Sequence, residues 1–407
     1  MFQQISVPME ISGDGRDLLL CGDATQPLPE LQALEGQAQC VYMDPPFMTG
    51  EMFTRRRRFG QHGWQTGRPS VEYPAYSDRF ASREEYLSTL RGLVQRAHQL
   101  LKNTGVMYLH LDWRASAYGR LICDEIFGEE MFLNEIVWSY ESGGRARKYF
   151  SRKHDVILMY SKTSRYHFDL HAVPLKRTVV RHNHMRRGVD EDGRAYSAIT
   201  SGGKEYRYYD DDPVYPGDVW TDISHLQQRD PERTGYATQK PLKLLDRLLR
   251  PVVKPGSLVC DLCCGAGTTL LAAQKLGCRV AGVEISPEAL LIARSRLTTD
   301  NMTLICPCTD DPATLEGTYD ATSGLTMLTG FDAPHEAFPP LSRALDALES
   351  WSAGVMENGV LHTESAFGRT TKQPSLPQFC ILSQPAPNAC VSTVDAAGRR
   401  RVYQWQE

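Results

Sequence analysis

Apolar and polar positions change period along the chain, and each change marks an element. Glu84 to Leu101 and Ala115 to Phe127 predict helices, while apolar runs at Val106 to Leu111, Glu135 to Tyr140 and Asp155 to Tyr160 predict strands. The last two are expected to be antiparallel edge partners. Upstream, Cys40 to Met43 is a short apolar run that stops at Asp44, Pro45 and Pro46. Downstream, Ser257 to Asp261 is a strand that runs into a glycine-rich turn and a helical pattern reaching about Leu276. A further strand, Arg279 to Val283, ends at Glu284, and Ser286-Pro287-Glu288 opens a helix to about Leu297 with serine as N-cap. Helices alternating with short apolar strands predict an α/β fold whose mostly parallel sheet is covered on both faces.

Two stretches break this rhythm. Lys162 to Tyr236 is short-period, polar and rich in Tyr, Arg and turn residues, which predicts an inserted, loop-rich subdomain. Ala237 to Val253 is helical again and is stopped by Lys254-Pro255-Gly256. Near the end, Phe338 to Met356 predicts an amphipathic helix, and Phe379 to Leu382 and Arg401 to Trp405 predict strands. The expected division is therefore 1–161, 162–236, 237–298 and 299–407.

Composition narrows the class. At 407 residues the chain exceeds one ordinary domain, and it contains no apolar run long enough for a membrane span. The N-terminal residues lack the basic-then-apolar order of a secretion signal. Eleven cysteines without paired CxxC spacing predict reduced thiols and a cytoplasmic protein, with Cys263 and Cys264 as packing residues. The net charge of −4 is uneven: 13 acidic against 6 basic residues from Asp300 to Glu407 leave the remaining body at about +3. A mildly basic body with an acidic tail leaves room for a polyanion-binding face.

Two turns carry candidate chemistry. Asp261, Gly265, Gly267, Thr268 and Thr269 form a strand-to-helix corner in which glycine lets a ligand approach the backbone. Glu284, 23 residues after Asp261, is placed to accept ribose hydroxyls. Position 270 is Leu, so the third glycine of a dinucleotide fingerprint is absent and a ligand without phosphates is favoured. In Asp44-Pro45-Pro46-Phe47, two prolines remove N–H donors beside a carboxylate. The result is an acceptor-only cluster suited to an amino group, next to an aromatic face for a planar base.

These motifs together resemble the β-group of DNA amino-methyltransferases, including the modification subunits of type III restriction systems and their stand-alone relatives. The resemblance covers about Asp17 to Leu297. It rests on Leu18-Leu19-Leu20-Cys21-Gly22-Asp23, on Asp44-Pro45-Pro46-Phe47 with Thr49, Gly50 and Phe53, and on Asp261 through Thr269. His110-Leu111-Asp112, Asp124 through Gly128, Asn134 through Trp138 and Thr238-Gln239-Lys240-Pro241 add to it in the same order. The resemblance implies a circularly permuted Rossmann-like methyltransferase using S-adenosyl-L-methionine, with the target-recognition region between the catalytic and cofactor motifs. It makes Asp44, Pro45, Pro46 and Phe47 catalytic. It makes Asp23, Thr238, Lys240, Pro241, Asp261, Gly265, Gly267, Thr268, Thr269 and Glu284 cofactor-binding.

Departures from the family pattern carry expectations too. Asp261-Leu262-Cys263 replaces the usual Asp-Pro-Phe, so an aromatic wall is expected to be missing from the cofactor site, and Met48 replaces a common Asn. The implied reaction is direct methyl transfer to an exocyclic amine of a base flipped out of double-stranded DNA, with no metal. Adenine is preferred over cytosine because the family's cytosine members more often carry serine in place of Asp44. The rivals are N4-cytosine or RNA amino-methylation, and a catalytically silent nucleic-acid-binding module. A restriction subunit and a second copy of the chain are further partners the resemblance admits.

Basic clusters supply the DNA contacts. Arg55, Arg56, Arg57 and Arg58 outnumber the nearby Glu51 and Glu72, so phosphate contact is expected, against the alternative of a solvated loop. Lys176, Arg177, Arg181, Arg186 and Arg187 form a second cluster without an acid. His182 and His184 lie within it but lack partner ligands for a metal.

Overall fold

The computed structural model describes residues 1–58, 70–141, 146–176, 185–227, 230–234, 236, 238–298, 300–332, 345–369, 375–395 and 398–406, with backbone alone at 55–58 and 70–76. Its spine is a 15-stranded sheet. Six neighbours in that sheet are parallel, in the order Met302–Ile305, Asp17–Cys21, Arg279–Glu284, Leu258–Asp261, Ala38–Met43 and Leu101–Leu111. Two antiparallel strands, His154–Ser161 and Phe132–Ser139, extend it on one side. Chain order reverses between Leu258–Asp261 and Ala38–Met43, the topological switch point at which such sheets bind ligands. The α/β expectation and the antiparallel pair are both met, but the sheet as a whole is mixed and not mostly parallel, because the N- and C-terminal strands add antiparallel pairings to the parallel core.

Burial explains the strands. Every residue of Ala38–Met43 and of Leu258–Asp261 is buried, as a sheet with both faces covered requires. On one face lies the helix Arg83–Leu100, buried along Tyr86, Leu90, Leu93, Val94, Ala97 and Leu100. Its N-terminus is a capping box: the Ser82 hydroxyl accepts from the Glu85 amide at 3.2 Å, and the Glu85 carboxylate accepts from the Ala81 amide at 2.6 Å. The helices Leu242–Leu249 and Thr268–Lys275 cover the other face through Leu244, Leu245, Leu248 and Leu270. Ser286 caps Pro287–Arg296 through the Ala289 amide, as expected. No helix among the described residues is long and apolar enough to cross a membrane.

Three expectations need correction. The helix predicted from Ala237 begins only at Leu242, because Pro241 serves as its cap and holds the preceding residues out of helical conformation. The Phe338–Met356 helix is contradicted: Leu348–Glu357 is a strand held between Val360–Gly368 and Ala389–Asp395. Pairing on both edges, with Trp351, Ala353 and Val355 buried, overrides the local helical pattern. The 162–236 stretch is more ordered than a loop region. It contains a three-stranded antiparallel sheet, Arg186–Val189, Ala195–Ser201 and Lys204–Tyr209, and Val219–Trp220 joins the main sheet.

The tail is welded to the body. Met302–Ile305 pairs with Asp17–Cys21, and the strands Phe2–Ile5 and Met9–Ile11 run among C-terminal ones, so the sheet is continuous across residue 299. At the junction Glu10 is 2% exposed and accepts from Arg294, from the Ser352 hydroxyl at 2.8 Å, the Thr363 hydroxyl at 2.7 Å and Arg400 at 3.1 Å. Burial by itself would raise the Glu10 carboxyl, but Arg294 and Arg400, with the two hydroxyls, outweigh it and hold the pKa at about 2.

A carboxyl depressed from 4.5 to about 2 stabilises the fold by on the order of 3 kcal/mol above its unfolded pKa. That contribution is lost as pH falls through about 2. Glu10→Gln should therefore lose roughly 3 kcal/mol in urea unfolding at pH 7 and flatten the acid limb of the stability curve. An unchanged midpoint at pH 7 would contradict the weld.

Candidate active site

At the switch point, parallel pairing sets Tyr42 beside Asp261 and so brings two strand ends together from 219 residues apart. Asp44 follows one strand, the glycine turn follows the other, and Glu284 ends the next strand along. A cavity of about 590 Å³ opens there. Asp23, Asp44, Pro46, Thr238, Lys240, Asp261, Gly265, Thr268, Thr269 and Glu284 all line it. Of the expected site residues nearby, Pro45, Phe47, Pro241 and Gly267 are not among the lining. Six carboxylates (Asp23, Asp44, Glu85, Asp261, Glu284 and Glu288) face it against two cations, Arg79 and Lys240. Such a wall repels phosphate and suits a cationic ligand.

The glycine turn is fixed by its conformation. Gly265 and Gly267 have φ of +49° and +74°, and a Cβ on Gly267 would come within 2.7 Å of the Ala293 side chain. Glu284 accepts from the Gly265 amide at 2.8 Å and from the Ser286 amide at 2.9 Å, tying the turn to the neighbouring strand. Burial raises the Glu284 carboxyl. Asp261 is pushed up to about 7, chiefly by burial and further by Asp44 and Glu284, against hydrogen bonds from Thr269 and the Cys263 amide. The aromatic wall expected to be missing at Cys263 is supplied elsewhere, since Phe80 and Tyr236 both line the cavity.

Asp44 is poised as an acceptor. Its Oδ2 accepts from the Lys240 ammonium at 2.5 Å, whereas its buried Oδ1 has no hydrogen-bond partner among the described residues. A buried acceptor without a donor is costly and calls for one from a ligand. Lys240, expected at the cofactor, thus reaches the Asp44 carboxylate, and its ammonium also lies 5.4 Å from the Phe47 ring centre. Phe47 stacks on the fully buried His110, with ring centres 6.3 Å apart and an interplanar angle of 25°.

Sequence reasoning missed what holds this corner in place. Asp78, 2% exposed, accepts from the amides of Phe47, Met48 and Thr49 at 3.3, 2.8 and 3.0 Å and from the Thr49 hydroxyl at 2.6 Å. This clasp fixes a turn in which Met48 takes a φ of +57°. Behind Phe47, the Tyr42 hydroxyl is 2.9 Å from His110 Nδ1, His110 Nε2 is 3.1 Å from Asp155, and Tyr140 donates to Asp155 at 3.0 Å. Burial, then Asp44, Asp261 and Asp155, pushes the Tyr42 phenol well above its usual value, so it donates to Nδ1 and leaves Nε2–H to donate to Asp155. Burial would raise Asp155, but the hydrogen bond from His110, with Lys240 and the Tyr140 hydroxyl, holds it below the usual range. His110 belongs to the His110-Leu111-Asp112 motif, but nothing in the sequence singled out Asp78.

The basic clusters fare differently. Arg55, Arg56, Arg57 and Arg58 end the strand Met52–Arg58, which pairs antiparallel with Ser70–Ser77. They therefore belong to a ribbon beside the catalytic turn and not to a loose loop. Lys176 is exposed, while Arg177, Arg181, His182 and His184 lie outside the described residues. Arg186 pairs with Glu205 at 2.7 Å, and Arg187 grips Asp210 through two bonds of 2.7 and 2.5 Å. Both arginines are already engaged across their own small sheet.

With the geometry in hand, comparison with known proteins is direct. A family model described as DNA methylase matches residues 38–295, and a methyltransferase-domain model matches residues 259–347. The DNA adenine methyltransferase YhdJ of Escherichia coli (strain K12) is 25% identical over 288 residues, 70% of this chain and 84% of its own. Type II methyltransferase M.EcaI of Enterobacter cloacae is 25% identical over 309 residues, 64% of each chain. M.BglII of Bacillus subtilis is 28% identical over 219 residues, 52% of this chain and 56% of its own. The match thus spans less than two thirds of the last two. Among solved structures, the cytosine-N4-specific PvuII DNA methyltransferase covers 72% of this chain and 91% of its own, at 15% identity and a TM-score of 0.45.

The clasp makes a prediction. Asp78→Ala should speed amide exchange at Phe47, Met48 and Thr49 by at least about tenfold in hydrogen-exchange mass spectrometry, since three donors lose a charged acceptor. Unchanged exchange at those amides would show that the turn is held by other contacts.

Proposed function

The chain belongs to the N6/N4 DNA methylase family, and we propose that it methylates the exocyclic N6 amine of an adenine flipped out of double-stranded DNA. The observation that carries this reading is the partnerless Asp44 Oδ1, buried at the rim of an anionic cavity. The residues present fit S-adenosyl-L-methionine, which supplies a methyl group on a positively charged sulfonium. Six carboxylates against two cations favour that charge, and a cavity of about 590 Å³ falls in the range of small-molecule sites. Asp23, Asp261 and Glu284, with the Gly265 turn, Thr238, Thr268 and Thr269, would hold it.

The chain's own groups account for the rest. A base amine is a poor nucleophile because its lone pair is delocalised into the ring. Asp44 Oδ1 and the Pro45 carbonyl accept its two hydrogens, which favours a pyramidal nitrogen with its lone pair free. Phe47, backed by His110, gives the extruded base a stacking face. Lys240 holds Asp44 in place through its ion pair. As the new C–N bond forms, the amine carries positive charge, and Asp44 stabilises it and takes the released proton. Adenine is preferred to cytosine because Asp occupies the first position of the tetrapeptide, and the relative YhdJ is named an adenine enzyme.

Asp44→Ala should reduce tritiated-methyl incorporation into unmethylated DNA by at least about a hundredfold. Cofactor binding in calorimetry should stay within about threefold, because Asp44 is assigned to the amine. Retained turnover in the variant would mean that the catalytic turn is misassigned.

A further inference from the structure

Phe150 is 98% exposed, and its neighbour Tyr149 is 62% exposed. They lie in the connection between Phe132–Ser139 and His154–Ser161, flanked by the exposed Arg147, Lys148 and Arg152. Beneath them Trp113 is 41% exposed, and the Arg152 guanidinium stacks 3.5 Å above its ring centre and 4.8 Å from that of Tyr149. Among the described residues no carboxylate forms an ion pair with Arg147, Lys148 or Arg152. A bare phenylalanine at the tip of an unneutralised basic segment is an unusual surface for a folded protein to present to water.

Its place in the fold says what it faces. Trp113 follows Leu101–Leu111, whose Leu109 is in register with Met43, so Trp113 and Asp44 leave the same edge of the sheet. Arg152 lies three residues before Asp155, which binds the His110 ring stacked under Phe47. Through Arg152 and Trp113 the aromatic tip is therefore tied to the same edge of the sheet as Asp44. Extruding the target base leaves a gap in the stack, and an apolar wedge between base steps is the chemistry that fills one.

We propose that Phe150, with Tyr149, is the wedge that enters the DNA stack beside the target base, on a platform made by Arg152 stacked on Trp113. Arg147 and Lys148 contact the flanking phosphates. This rests on the DNA-methylating reading above.

The test uses the full chain, tritiated S-adenosyl-L-methionine and unmethylated plasmid DNA. Phe150→Ala should lower kcat about tenfold or more while DNA affinity stays within about threefold, because a wedge acts on extrusion and not on docking. Phe150→Trp should restore most of the rate. Arg147→Ala with Lys148→Ala should do the reverse, raising KM and flattening the salt dependence of binding while kcat holds. Phe150→Ala at the wild-type rate would overturn the wedge and leave the tip to a protein partner. Equal losses in the Ala and Trp variants would overturn it as well. If the wild-type chain transfers no methyl to DNA, the underlying reading fails and the wedge falls with it.

Discussion

Everything in the site depends on one parallel pairing, Ala38–Met43 against Leu258–Asp261. It joins segments far apart in sequence, and it ends both strands at the same edge of the sheet. A slip of one residue would turn every side chain of either strand to the opposite face and separate Asp44 from Asp261. The complete burial of both strands makes that slip expensive, so the core enforces the geometry of the site.

The same edge gathers negative charge that a folded protein normally avoids. Burial, with Asp44 and Glu284 close by, pushes Asp261 up to about 7. Backbone amides and Lys240 relieve part of this, but Asp44 Oδ1 is left buried without a donor. Clustered carboxylates and a buried unsatisfied acceptor at a switch point mark a candidate ligand site. Asp78 and the Tyr42–His110–Asp155–Tyr140 chain keep the corner rigid, so that binding need not spend free energy on ordering the catalytic turn.

Much of this was legible in the sequence because it depends on local chemistry. Strand ends, the glycine turn, the Ser286 cap and the Asp44 tetrapeptide are written as short contiguous patterns. What escaped was long-range. Asp78 acts on amides about thirty residues away, and Asp155 finds His110 only once two antiparallel strands are paired. The Leu348–Glu357 strand reads as a helix until neighbours on both edges claim it. Arg186 and Arg187 look like free DNA contacts until cross-strand acids engage them. Lys240 was grouped with the cofactor motif, and besides lining the cavity its side chain pairs with Asp44.

The central claim is that the acceptor corner at Asp44 directs methylation to an exocyclic amine. Its most direct test is mass spectrometry of nucleosides from unmethylated duplex DNA incubated with the full chain and S-adenosyl-L-methionine. N6-methyladenine, absent when Asp44→Ala replaces the wild type, is the predicted result. N4-methylcytosine would keep the chemistry and overturn the choice of base. A methyl group on a ring carbon, or none on any base, would contradict the account.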